Sequence, residues 1–199
     1  MKYYTNKNNT LWIIYTDSSF RDINKITSYP KIKEHLDSVK IVITSDNKPY
    51  GLHRSREEHF FKGEKIISQR KCVDSPLFSY SDFDCYVPAM YYITQTSRWN
   101  MKFLTGLLNS VAFWLKHKGK MQGANYQVDK EPLLAIPLPN PESLDKNIEM
   151  NIIKLVENII STKKDDISSN TSIYESEIDR LVYKLYGLYE DEVAIIENK

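Results

Sequence analysis

The chain has 199 residues, 41% of them hydrophobic, enough to bury one substantial core with a helical appendage. Its 27 Lys+Arg against 26 Asp+Glu leave a net charge of +1, and its two cysteines, Cys72 and Cys85, lack CxxC spacing and are too few for a disulfide framework. No apolar run approaches the roughly 18 residues that cross a bilayer, and MKYYTNKNNT has no apolar signal core, so the composition predicts a reduced, cytoplasmic protein with no membrane partner.

In chain order, LWIIYT from Leu11 is a short β-branched and aromatic run that predicts a strand. Ser28, Tyr29 and Pro30 mark a turn, after which KIKEHLDSV sets Ile32, Leu36 and Val39 at helical spacing. KIVIT from Lys40, KIISQ from Lys65 and CYVPAMYYIT from Cys85 read as strands, with Pro88 placing the third at a sheet edge or across a break. Met101–His117 is a helix, because Leu104, Leu107, Leu108, Val111, Ala112 and Leu115 recur at three- and four-residue steps before Gly119. EPLLAIPLPNP carries four prolines and predicts an extended wall segment. Two narrow apolar seams follow, Ile148, Ile152, Leu155, Val156 and Ile159, then Ile178, Leu181, Val182 and Leu185 closed by Gly187; they predict an antiparallel helical hairpin. Tyr189 stands where a capping Ser, Thr or Asp would serve the last acidic helix better, so that end is expected to fray. The fold class expected is α+β: a mixed β-sheet body with a packed helix over residues 1–140, then a helical tail over 141–199.

Charge divides along the same line. Residues 1–140 hold 20 Lys+Arg against 13 Asp+Glu, a balance of +7, and residues 141–199 hold 7 against 13, or −6. A basic body with an acidic tail suits a polyanion-binding surface joined to a docking or solvent-facing segment.

No catalytic motif is legible. DNKPY at Asp46–Tyr50 has the outline of an adenine-methyltransferase motif, but Lys48 stands where the first proline belongs and no glycine-rich loop precedes it. The one Glu-x-Lys triplet, Glu197–Lys199, lies at the terminus, away from any carboxylate cluster that would hold a nuclease metal. His53, His59, Glu57 and Glu58 match no familiar metal spacing.

Recognition chemistry is richer. Arg54, Arg56, Lys62, Lys65, Arg70 and Lys71 surround the KIISQ strand, interleaved with His53, His59, Phe60 and Phe61. Such cations neutralise phosphates, arginine also grips guanine, and Gln69 adds an amide able to pair with adenine. Glu57, Glu58 and Glu64 offset part of that charge, so a solvated face is the competing reading. A second basic tract, Lys116, His117, Lys118 and Lys120, leads into Gln122, Asn125, Tyr126 and Gln127, base-edge partners expected in a loop.

Taken in order, GLHRSREEHFFKGEKIISQRK from Gly51, FLTGLLNSVAFWLKHKGK from Phe103, LLAIPLPNP from Leu133 and IDRLVYKLYGL from Ile178 resemble the TaqI-like C-terminal specificity domain of combined adenine-specific DNA methyltransferase/endonuclease enzymes. The resemblance implies a non-catalytic, sequence-specific double-stranded DNA recognition domain of a type II restriction-modification enzyme. It implies that the partners are DNA and the methyltransferase and endonuclease parts of a parent chain. S-adenosylmethionine and Mg are expected only in those parts, and no cofactor in this chain. LLNS and AIPLP look like scaffold in such domains. The alternative from another class is an interaction module that docks a partner through its C-terminal helical hairpin.

Overall fold

The computed structural model describes residues 2–7, 10–40, 50, 57–72, 76–87, 90–94, 98–110, 120–122, 125–127 and 130–197. The fold is α+β, with a four-stranded mixed sheet and seven helices among those residues. The chain folds as two compact units, residues 9–61 and the remainder, residues 1–8 with 62–199. The division therefore falls near Phe61, whereas the sequence suggests Asn140, because the helical tail shares one hydrophobic core with the sheet.

The smaller unit holds two helices, α1 (Ile23–Ile26) and α2 (Pro30–Ser38), with single 3₁₀ turns at Ser18–Arg21 and Glu58–Phe61. Pro30 opens α2 at the position where its missing N–H costs nothing. Tyr50 donates its hydroxyl to Asp37 at 2.7 Å, and the Tyr15 and Phe61 rings meet edge to face at 5.4 Å. LWIIYT is not a strand: it belongs to no ladder, and Trp12 is 97% exposed. Its β-propensity finds no partner strand among the described residues, so the segment stays irregular. KIVIT lies outside the described residues apart from Lys40.

In the larger unit, β1 (Tyr3–Tyr4), β2 (Lys65–Gln69), β4 (Phe78–Ser81) and β5 (Met90–Thr94) form a sheet in the order β1-β4-β2-β5. β1 runs parallel to β4, and the other pairs are antiparallel. β5 starts two residues beyond Pro88 and lies at the sheet edge, as the proline requires. A second, three-stranded antiparallel sheet joins β3 (Lys71–Cys72), β7 (Asn125–Gln127) and β6 (Lys120–Gln122).

Helix α3 (Met101–Ser110) packs on the first sheet. Asn100 caps it, its Oδ1 accepting from the Lys102 and Phe103 N–H groups at 2.9 and 3.2 Å. The stretch EPLL is a short helix, α4 (Lys130–Leu134), where an extended wall was expected; Pro132 falls in its first turn, where an absent N–H breaks no intrahelical bond. The hairpin follows as α5 (Lys146–Asp165) and α6 (Ser172–Leu185). Ile148, Ile152, Val156 and Ile159 of α5, with Ile178, Leu181 and Val182 of α6, are buried in the core that also holds Leu104 and Leu107 of α3.

Three local details explain residues that periodicity alone does not. Gly187, at φ 66°, ends α6 in a Schellman arrangement, with Leu188 N–H donating to Tyr183 O at 3.0 Å and Gly187 N–H to Lys184 O at 3.1 Å. The last helix, α7 (Glu190–Glu197), is capped after all: Glu192 reaches back to accept from the Tyr189 N–H at 2.8 Å, half of a capping box. Near the N-terminus, Lys2 pairs with Glu175 of α6 at 2.7 Å, beside the buried Tyr3.

Two residues of α3 set its distance from its neighbours. A Cβ on Gly106 would lie 2.7 Å from Ile152 Cγ2 and 3.1 Å from Val156 Cγ2, so only glycine permits this approach of α3 to α5. Gly106→Ala gains up to ~1 kcal/mol of helix propensity but incurs about 1–3 kcal/mol of overpacking. The expected outcome is a lower melting temperature by calorimetry, with the α-helical circular dichroism of the folded state retained.

Asn109, 5% exposed, ties α3 to β4. Its Oδ1 accepts from the Phe78 N–H at 3.1 Å, and its Nδ2 donates to Phe78 O at 2.8 Å and Thr105 O at 2.9 Å. The amide meets a strand-end donor and acceptor together, which no apolar residue of its size does. Asn109→Asp keeps the acceptor but turns a carboxylate toward two carbonyl oxygens, so its folded-state pKa is raised and the folded protein binds the extra proton. The variant is expected to lose stability as pH rises from about 4 toward 7, where the wild type does not. Denaturant titrations of both proteins at two pH values check this.

Candidate nucleic-acid interface

The cations expected to gather around β2 do not share one environment. Arg54 and Arg56 lie outside the described residues, as do Lys116 and Lys118. Lys62 is exposed and sits 3.7 Å from the Asp84 carboxylate. Arg70 and Lys71 are exposed, Arg70 at the bend between β2 and β3 and Lys71 as the first residue of β3.

Lys65 departs from the expected set. Its side chain is fully buried, and its ammonium donates to Gly63 O at 2.5 Å and Phe83 O at 2.6 Å. Burial pushes the amine below the ordinary lysine range, opposed by the nearby Cys85, Asp84 and Asp82. The residues that close over it are held in turn: Asp84 accepts from the Gly63 N–H at 2.8 Å, and Ser81 Oγ lies 3.2 Å from Phe83 O. A fully buried amine that donates to two inward carbonyls is a structural group and is not presented to a phosphate. Lys65 is therefore withdrawn from the candidate contacts.

Gln69, at the end of β2, is half-buried and lines a cavity of about 260 Å³ together with Tyr4 and Asn6 from the first residues of the chain. Nothing in the local sequence of MKYYTNKNNT signals this, because Tyr4 reaches the cavity through the parallel pairing of β1 with β4.

The second sheet joins the two polar tracts singled out in the sequence. Lys71 pairs with Gln127 and Cys72 with Tyr126; on the other side of β7, Lys120 pairs with Gln127, Met121 with Tyr126 and Gln122 with Asn125. One cross-strand row thus reads Lys71, Gln127, Lys120, and the next Cys72, Tyr126, Met121. The loop expected over Lys120–Gln127 is in its described part a pair of short strands, and it is fastened by backbone pairing to the segment that carries Gln69, Arg70 and Lys71. Cys72 is buried in the main core, which anchors this sheet at its root.

Among the described residues, no cluster of three or more His, Cys, Asp or Glu is placed to hold a metal ion; His59 Nδ1 lies 3.1 Å from Glu57. No helix among them is long and apolar enough to cross a membrane. No protein-family model matches the chain, and no curated protein matches it in sequence.

The difference between buried and exposed amines is measurable. Under brief acetylation of the native protein, Lys62 and Lys71 are expected to be modified while Lys65 stays unmodified until denaturant is added; peptide mass spectrometry reads the three sites separately. Equal modification of Lys65 in the native state would place its ammonium in solvent.

Proposed function

We propose that this chain is a sequence-specific double-stranded DNA recognition domain of the restriction-modification type, which supplies binding and leaves catalysis to a methyltransferase or endonuclease part. The single observation that carries the reading is the three-stranded sheet. Two tracts singled out for phosphate- and base-contacting residues, far apart in sequence, share one ladder through Lys71, Gln127 and Lys120. The basic balance of residues 1–140 supplies the sequence-independent attraction, and phosphate contacts hold the register within which a few side chains discriminate bases. Arg70, Lys71, Lys120, Gln122, Asn125 and Gln127 are the proposed contacts, with Arg54, Arg56, Lys116 and Lys118 proposed as further phosphate contacts.

The rival reading, a module docking partners through its helical hairpin, draws less support. The apolar seams of α5 and α6 are already consumed against α3 and the sheet. A partner would be left the outer faces of the hairpin, where Met150 and Ile173 are exposed.

The test is a fluorescence-anisotropy titration of labelled duplex DNA across about 50–200 mM salt, repeated with a methyltransferase part supplied. Affinity is expected to fall steeply with salt. Lys71→Ala should lower the magnitude of the slope of log affinity against log salt by roughly 1, whereas Lys65→Met, if it folds, should leave the slope unchanged. Affinity independent of salt in both settings would overturn the proposal.

A further inference from the structure

The cavity beside Gln69 is built unlike a phosphate site. Tyr4, Ile67, Leu77 and Val87 give it apolar and aromatic walls, Thr5 and Ser79 add hydroxyls, Asn6 and Gln69 add carboxamides, and no charged residue among the described ones lines it. The described lining offers hydroxyls and carboxamides, groups that pair with the donors and acceptors of an uncharged polar ligand. At about 260 Å³ it lies just below the roughly 300–1,000 Å³ of sites for larger ligands, room for one small ring system. Apolar and aromatic walls suit the faces of a planar ring, and paired donor and acceptor groups on carboxamides suit the edge of a nitrogen heterocycle, adenine above all.

We infer that this cavity is a binding site for a single uncharged nucleobase, held at its edge by Gln69 and Asn6. The base can come from two sources, an extrahelical nucleotide of a bound duplex or a free nucleoside. The first source rests on the DNA-binding reading above, and the second does not. In the first case Gln69 reads its base outside the stack, not from within the major groove. The cavity lies where β2 ends, and Arg70 and Lys71 follow directly along the chain as candidates for the flanking backbone.

The probes are a duplex carrying one bulged 2-aminopurine, the fully paired duplex of the same length, and free adenosine. Binding is followed by anisotropy, by 2-aminopurine fluorescence and, for adenosine, by calorimetry. The bulged duplex is expected to bind about tenfold more tightly than the paired one, with a change in 2-aminopurine emission. Gln69→Leu, which keeps the volume and removes the amide, and Asn6→Ala should each erase that preference, so that the bulged duplex binds no more tightly than the paired one, in variants that still melt cooperatively. Should adenosine bind in a Gln69-dependent manner while neither duplex binds, the cavity assignment stands and the DNA reading falls. Should the paired duplex bind with its salt dependence while neither the bulge nor adenosine is favoured, the DNA reading stands and the cavity assignment falls. A preference that survives both substitutions in well-folded variants also overturns it.

Discussion

Helix α3 meets the sheet through one carboxamide and meets the hairpin through the absence of a side chain. Asn109 closes the hydrogen bonds of Phe78 in β4, and Gly106 lets Ile152 and Val156 of α5 come within contact of the helix backbone. The two residues are three apart, so they lie near one another on α3 and constrain its two interfaces together. Shift α3 outward to relieve a methyl at 106 and the amide at 109 loses its strand; tilt it to release the amide and the hairpin loses its seat. Close-packed interiors have little room to absorb either movement. The helical tail belongs to the same unit as the sheet because both bury residues in one core, in spite of the tail's opposite charge.

Periodicity makes much of this legible. The seams at Ile148–Ile159 and Ile178–Leu185, the strand KIISQ and the edge placement of the strand after Pro88 follow from patterns that tertiary packing reinforces. LWIIYT shows the opposite case, since strand propensity expresses fit to a pleated neighbour and that segment has no ladder. Lys65 is unreadable for a related reason. In sequence it is one more cation in a basic tract, and the second of its two inward carbonyls, Phe83, lies far along the chain. The capping of α7 is written in the sequence, though not at the position that normally carries it: Tyr189 offers no cap, while the compensating carboxylate stands three residues later.

The candidate site divides similarly. Residue types able to bind phosphates and bases can be picked from the sequence, but their assembly cannot. Strand register between Lys71 and Gln127 depends on long-range pairing, which leaves no mark in either tract alone. Likewise Tyr4 and Asn6 reach Gln69 only because the first residues of the chain run alongside β4.

The junction between the two sheets is a single residue, Arg70, with β3 contributing only Lys71 and Cys72 to the outer ladder. Backbone pairing is indifferent to which side chains decorate it, and Cys72 roots that ladder in the interior. The row Lys71, Gln127, Lys120 is thus open to exchange of one polar group for another with the register of the ladder kept. Such a layout separates the residues that can vary from the one, Cys72, that ties the ladder to the interior.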